Sequence, residues 1–380
     1  MGPMDYLTAV RMFTLGMARV IIRCRDIFCN AIGLNTHSEE WDDIFKIASL
    51  IPGDNWLAGD FRGFDKLLSI LIQNMCKRVF LALAAMGEYT ERDLLIIDTL
   101  ICDFITAVVD FFGTLVMLFG GEVSGHPLTT PHNSIANIIL HLYAFAIIYG
   151  VDQVDLFWTK VFIRVLGDDV MVKVHPEFPR YNHTTIQGVF AGIGIEYTMA
   201  DKASESRPYI SWTEVTFLKR SFREHEEFPG MVVAPLELDS IWKMLLYTIP
   251  SKSVSPEEQL AMSICAAKSE AFYHGRETYD LVSYLIDRCE KTPELEKRME
   301  QYPAPTYEQC KQRFIRASPK LWARLGCPEF PETPQPRSSY CDPRDSVAQS
   351  ESSMDYEDET TIGRSPEESH KTGVRLSSKK

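Results

Sequence analysis

The sequence predicts an α+β fold, an antiparallel sheet with helices followed by a mostly helical C-terminal region. Three observations predict it. Two apolar, β-branched runs, Val161–Leu166 and Val170–Val174, meet at Gly167-Asp168-Asp169, the pattern of a β-hairpin. A buried strand at Asn55–Phe61 gives way within a few residues to helical apolar spacing from Lys66. Residues 225–327 then read as helices, with starts at Asp239 and Pro256.

Composition bounds what such a fold can be. The 380 residues are 45% hydrophobic, enough for a sizeable core in two or three subdomains. Nine cysteines show no C-x-x-C spacing, which speaks against a zinc ribbon, and the odd count without a secretory signal fits a reducing compartment. The net charge is −13. The stretch from Pro328 to Lys380 holds eleven acids and seven bases, a net of −4, so residues 1–327 still carry −9. An acidic body is unusual for a nucleic-acid protein, and the distribution of charge matters more than its sum. Two apolar segments, Leu94–Gly121 and Asn137–Val151, imitate membrane spans. The first contains Asp98, Asp103 and Asp110, each costly at bilayer depth, and the second is short and includes His141. Both read as buried core elements, and no integral membrane segment is expected.

In chain order, Tyr6–Phe13 is apolar at helical spacing and runs on to Arg23. No strand or cap precedes this helix, and a chain truncated at its N-terminus is the expectation. Pro52-Gly53-Asp54 is a turn. The strand Asn55–Phe61 carries Asp60 at its end, where mixed α/β domains keep metal or phosphate sites. Gly63 allows a sharp change of direction, and Asp65 opens one long helix expected to reach about Ala85. At a helix N-terminus Asp65 either caps free amides or points into a cleft.

Ser124-Gly125-His126-Pro127-Leu128-Thr129-Thr130-Pro131-His132-Asn133 opens another helix, with an apolar body from Ile135 to Tyr149. Capping explains one of Ser124, Thr129 and Asn133 but not all three. Thr129 and Asn133 are four residues apart, on one helical face, and Asn133 needs a hydrogen-bond partner that Asp65 or a ribose could provide.

Gly167 suits the positive φ at the first central position of a tight type II′ turn, with Asp168 at the second. Two adjacent acids at an apolar hairpin tip repel each other, a strain that a divalent cation relieves; a solvated Asp-rich turn is the plainer alternative. Thr184–Gly192 is a short amphipathic helix, and Lys202 follows Ala200-Asp201. Val215–Arg220 reads as a strand with a basic end. From Pro328 onward Pro, Ser, Glu and Asp dominate, the composition of a disordered tail.

The ordered set Asp60-x4-Asp65, Ser124-Gly125-x3-Thr129-x3-Asn133, Gly167-Asp168-Asp169, Lys202 after Ala-Asp, and Phe217-Leu218-Lys219-Arg220 resembles motifs A to E of positive-strand viral RNA-dependent RNA polymerases. Picorna-like viruses, including the dicistrovirus and marine groups, are the nearest match. Five motifs in order are far more specific than any one. The resemblance covers residues 1 to about 225 by motif and the remainder by position.

The resemblance implies a right-hand polymerase: partial fingers at 1–53, a palm at 54–224 that includes a fingers-associated segment at about 86–123, a thumb at 225–327, and the tail at 328–380. It implies template-directed nucleotidyl transfer from NTP to an RNA 3′-hydroxyl. Asp60, Asp168 and Asp169 would hold two Mg²⁺ ions, with Mn²⁺ as a substitute. Asp65, Ser124, Gly125, Thr129 and Asn133 would bind the substrate and read its ribose 2′-hydroxyl. Lys202 would be the proton donor to pyrophosphate, and Lys219 and Arg220 would support the nascent strand. The partners implied are template and nascent RNA, NTPs and other viral replication proteins, at replication complexes in the host cytoplasm. Two departures stand out. The basic motif that precedes the palm in relatives is absent, and Leu166 stands where many carry Tyr, for which a modest effect is expected. A reverse transcriptase shares the two-metal palm, but the Ser-Gly-x3-Thr-x3-Asn set argues against it. For a non-catalytic remnant serving as an RNA-binding or scaffold module, the intact acids at 60, 168 and 169 argue against and the missing fingers argue in favour.

Overall fold

A computed structural model describes residues 3–121 and 125–326. The expected tail and the candidate Ser124 lie outside these. In chain order the elements are α1 (Met4–Arg23), α2 (Glu40–Ser49), β1 (Trp56–Phe61), α3 (Phe64–Leu67), α4 (Ile70–Met86), α5 (Glu91–Ile105), β2 (Val108–Phe111), β3 (Thr114–Met117) and α6 (Thr129–Tyr149). Then come α7 (Phe157–Lys160), β4 (Val161–Leu166), β5 (Asp169–Val174), α8 (His183–Ala191), β6 (Tyr197–Met199), β7 (Arg223–His225) and β8 (Phe228–Val233). The chain continues with α9 (Leu238–Leu246), α10 (Pro256–Ala271), α11 (Arg276–Arg288), α12 (Pro293–Gln301), α13 (Tyr307–Arg316) and α14 (Pro319–Arg324).

The central sheet has the order β4-β5-β1-β6 and is antiparallel throughout. Its strands are buried on both faces, and the two-residue period of a strand divides their side chains between two cores. Leu57, Phe61, Ile163, Val165, Val170 and Val172 point to one, which α1, α4, α5, α6 and α8 cover. Trp56, Ala58, Phe162, Met171 and Met199 point to the other, closed by Trp41 of α2 and by Phe217 and Phe222. The predicted strand at 55–61, the hairpin and the helix at 184–192 correspond to β1, β4–β5 and α8.

Three expectations are corrected. The single helix expected from Asp65 to about Ala85 is two: Leu68 is extended (ψ 105°), and Ser69 starts α4 afresh by accepting a hydrogen bond from the Ile72 amide. The segment Leu94–Gly121 is only half core. Its first part is α5, begun by a capping box of Thr90 and Asp93, but β2 and β3 form a separate ribbon whose apolar side chains face outward, with Phe112 96% exposed. Val215–Arg220 is a tight turn rather than a strand: Phe217 and Arg220 exchange backbone hydrogen bonds of 2.9 and 3.0 Å.

The C-terminal helices gather around a third core, in which Phe228, Phe272, Tyr273, Tyr279, Tyr307 and Phe314 are buried. Ser255 caps α10 ahead of Pro256, and Thr306 and Gln309 form a capping box at α13. Among the described residues no helix is long and apolar enough to cross a membrane.

Candidate active site

Strand register brings the acids together. Leu166 pairs with Asp169, leaving Gly167 and Asp168 as a two-residue turn in which only Gly167 has a positive φ, 65°. That is the first-position glycine of the expected turn. On the next strand Gly59 pairs with Val170, so one further step along the antiparallel register sets Asp60 opposite Asp169. Gly59 itself is obligatory for packing: a Cβ there would meet the Tyr197 ring, which crosses over it from β6, at 2.1 Å.

The turn is braced from below by α6, through residues that the sequence reading did not select. Ser134 Oγ accepts a 3.0 Å hydrogen bond from the Gly167 amide and donates to the Thr130 carbonyl at 2.8 Å. Asn137 Nδ2 donates to the carbonyls of Gly167 (3.0 Å) and Asp168 (3.1 Å). Both side chains are buried, so these bonds satisfy turn groups that water cannot reach. The signal was present: with His141, Asn137 is a polar interruption of an apolar helix.

Electrostatics mark the cleft. Burial, followed by the charges of Asp168 and Asp60, pushes the Asp169 carboxyl up to about 6, against the opposing pull of Lys202 and Lys219. Lys202 sits at positive φ, 59°, in a loop where Asp201 accepts hydrogen bonds from the amides of Ala203 and Ser204. Its Nζ is 3.0 Å from Asp60 Oδ2, and hydrogen bonding to Asp60 holds the ammonium firmly protonated. Among the described residues no three acid, histidine or cysteine side chains are gathered tightly enough to hold a metal as they stand. The donor chemistry nonetheless fits a hard divalent cation, since Asp169 is penalised for its own charge and Asp60 has recruited an ammonium as counter-ion. The Lys202 ammonium contacts Oδ2 of Asp60.

The other candidates stand on α3, on α6 and in the loops that precede α6 and β7. Asp65 is exposed in the first turn of α3. Gly121 packs against it, with its Cβ position 3.2 Å from the Asp65 carbonyl oxygen, and its amide bonds to the Leu68 carbonyl at 2.9 Å. Gly125 is exposed at φ 86°, and Thr129 is the first residue of α6. The N-cap position of α6 is Leu128, with no side-chain cap, so capping does not account for the polar residues around it. Asn133 Oδ1 is buried without a hydrogen-bond partner, and no bond joins Asn133 to Asp65 among the described residues. Lys219 is exposed and its charge acts on Asp169. Arg220 turns away: its guanidinium is committed to Glu270 of α10 through two hydrogen bonds of 2.8 Å.

The family model for viral RNA-dependent RNA polymerase matches residues 1–290. The replicase polyprotein of Cricket paralysis virus is 27% identical over 290 residues, which cover 73% of this chain and 16% of that polyprotein. The replicase polyprotein of Drosophila C virus is 26% identical over 291 residues, 73% of this chain and 16% of that one. The chain therefore spans about a sixth of the length of these relatives. Among solved structures, the Sicinivirus 3Dpol RNA-dependent RNA polymerase superposes with a TM-score of 0.66 at 17% identity, covering 83% of this chain and 62% of that one. That likeness is one of fold.

Proposed function

Because the chain belongs to the viral RNA-dependent RNA polymerase family, we propose that it copies an RNA template, joining nucleotides from NTPs to an RNA 3′-hydroxyl during replication of a positive-strand RNA virus. The observation that carries this reading is the convergence of three separate sequence motifs on one cleft, with Asp60, Asp169 and Lys202 interacting across strand, turn and loop.

Phosphoryl transfer needs positioning and charge neutralisation more than a protein nucleophile. Asp60, Asp168 and Asp169 would hold two Mg²⁺ ions, or Mn²⁺. The chemistry these supply when bound is acidification of the 3′-hydroxyl and neutralisation of the triphosphate. Lys202 would donate a proton to the leaving pyrophosphate. Its pairing with Asp60 keeps that proton in place until then. Asn133, whose buried Oδ1 lacks a partner, would read the ribose 2′-hydroxyl together with Asp65, Ser124, Gly125 and Thr129. Lys219 would face the nascent strand, and Arg220 would act behind it rather than on RNA.

On this reading residues 54–224 are the palm, 225–327 the thumb, and 1–53 with about 86–123 belong to the fingers. Other viral replication proteins and a cytoplasmic replication complex are the corresponding partners and location. The test is primer-templated incorporation of labelled NMP by the chain with Mg²⁺ or Mn²⁺, run beside Asp60→Asn and Asp168→Asn. Template-dependent extension lost in both variants is the expected result. RNA binding with no extension under any metal would leave a scaffold module instead.

A further inference from the structure

The tight turn that carries Lys219 is built from the wrong residues. Leu218 and Lys219 both have positive φ, 56° and 57°, between Phe217 and Arg220, whose backbones bond reciprocally. A two-residue turn with both central residues left-handed normally takes Asn, Asp or Gly. Side chains with a full Cβ are held there only when the surroundings over-determine the conformation.

The surroundings do so chiefly through the Arg220 side chain. Arg220, directly after the strained pair, donates from one terminal nitrogen to the Ala234 carbonyl and to Glu270 Oε2, both at 2.8 Å. From the other it donates to Glu270 Oε1 at 2.8 Å. Glu270 is buried on α10, and His37, stacked on Tyr273 at 5.2 Å, meets the same carboxylate at 2.9 Å. Burial would push the Glu270 carboxyl up, but the bonds from His37 and Arg220 outweigh it and hold it at about 2, so the clamp stays charged. The Glu237 amide secures the Lys219 carbonyl at 2.9 Å.

We propose that Glu270 is a positioning residue for Lys219: acting through Arg220, it holds the Leu218–Lys219 turn left-handed and thereby aims the Lys219 ammonium into the acid cleft, toward a nucleic-acid phosphate. The phosphate part rests on the polymerase reading above. The clamp itself does not. A helix that merely docked on the sheet through an ion pair would have no reason to depend on the turn's own conformational preference, and that dependence is what separates the two.

The full 380-residue chain is compared with Glu270→Gln, which keeps the shape and removes the charge, and with Glu270→Gln/Leu218→Asn, which supplies a residue tolerant of positive φ. Trypsin cleavage after Lys219, mapped by mass spectrometry, should accelerate on the order of tenfold in Glu270→Gln, since cleavage follows the open population. It should return toward the parent rate in the double variant. Should Glu270→Gln fail to fold, His37→Gln removes one bond of the clamp and should give a smaller change in the same direction. An unchanged rate, or acceleration that Leu218→Asn does not reverse, overturns the clamp. In parallel, affinity for a primed RNA is measured against salt. Lys219→Ala and Glu270→Gln should each lower the slope by about one phosphate contact. A slope unchanged in Glu270→Gln overturns the aim at phosphate, whereas a parent chain that binds no RNA overturns the polymerase reading and leaves the proteolysis to decide the clamp.

Discussion

Two tight turns, one next to Asp169 and one carrying a lysine whose charge acts on it, reach their shapes by opposite routes. Gly167-Asp168 closes the central hairpin with a glycine exactly where positive φ is needed, so the conformation is written locally, and α6 only adds hydrogen bonds to it. Leu218-Lys219 adopts positive φ at both central positions with residues that disfavour it by roughly 1–2 kcal/mol each, and the conformation is imposed by Arg220, Glu270 and Glu237. A turn that must present carboxylates invariantly is safest when its shape does not depend on distant contacts. A turn whose shape is held by a helix far along the chain can respond to that helix.

The largest expected effect tests the first turn's charges. Asp168→Asn should lower nucleotide incorporation by roughly 10³-fold or more, the consequence of losing several kcal/mol of charge stabilisation, with the melting temperature preserved. Near-normal turnover at low millimolar Mg²⁺ would remove Asp168 from the site and with it the contrast between an invariant turn and a responsive one.

Next in size is sugar choice. If Asn133 and Asp65 read a 2′-hydroxyl, Asn133→Ala should narrow the NTP to dNTP ratio of kcat/KM by roughly 10- to 100-fold. A lower melting temperature with an unchanged ratio would make Asn133 a packing residue and leave the two turns as the functional edges of the cleft.

What could be read in the sequence follows the same division between local and imposed structure. The hairpin, β1 and α8 were legible because side-chain period and turn residues decide them within a few positions. Motif spacing singles out Asn133 but not Ser134 or Asn137, since which polar residues of α6 meet the hairpin depends on how the helix crosses it. The break at Leu68 depends on Ser69 finding the Ile72 amide and on Gln73 Nε2 bonding the Leu68 carbonyl at 3.1 Å. Apolarity at 108–119 implied burial, yet composition cannot say whether a neighbour covers the ribbon, and its side chains face outward. The commitment of Arg220 to Glu270 joins residues fifty positions apart, beyond any motif.

A third prediction measures the electrostatic load on the locally written turn. Asp169 is raised from its ordinary 3.8 to about 6, so its charged form is disfavoured by the fold. As pH rises through that window the unfolded chain loses the proton first. The penalty is absent below about 4, grows between 4 and 6, and is complete above 6. Asp169→Asn should therefore stabilise the metal-free protein by about 3 kcal/mol at pH 7.5 and by almost nothing at pH 4, in urea titrations with EDTA present. An equal gain at both pH values would trace the effect to packing instead of charge.

The smallest effect compares the turns directly by exchanging their β-carbons. Gly167→Ala forces a Cβ into φ 65°, and although no neighbour lies within 4 Å of that Cβ, the backbone conformation alone should cost about 1 kcal/mol. Lys219→Gly removes a Cβ from φ 57° at an exposed site, where little packing is lost. Relief of strain there exceeds the extra chain entropy of glycine by a few tenths of a kcal/mol up to about 1. The two substitutions should thus shift the urea midpoint in opposite directions at similar magnitude, with the denaturant slope unchanged. If Lys219→Gly were destabilising, the turn would be held by contacts of the lysine stem rather than against its own preference, and the second turn would be as locally determined as the first.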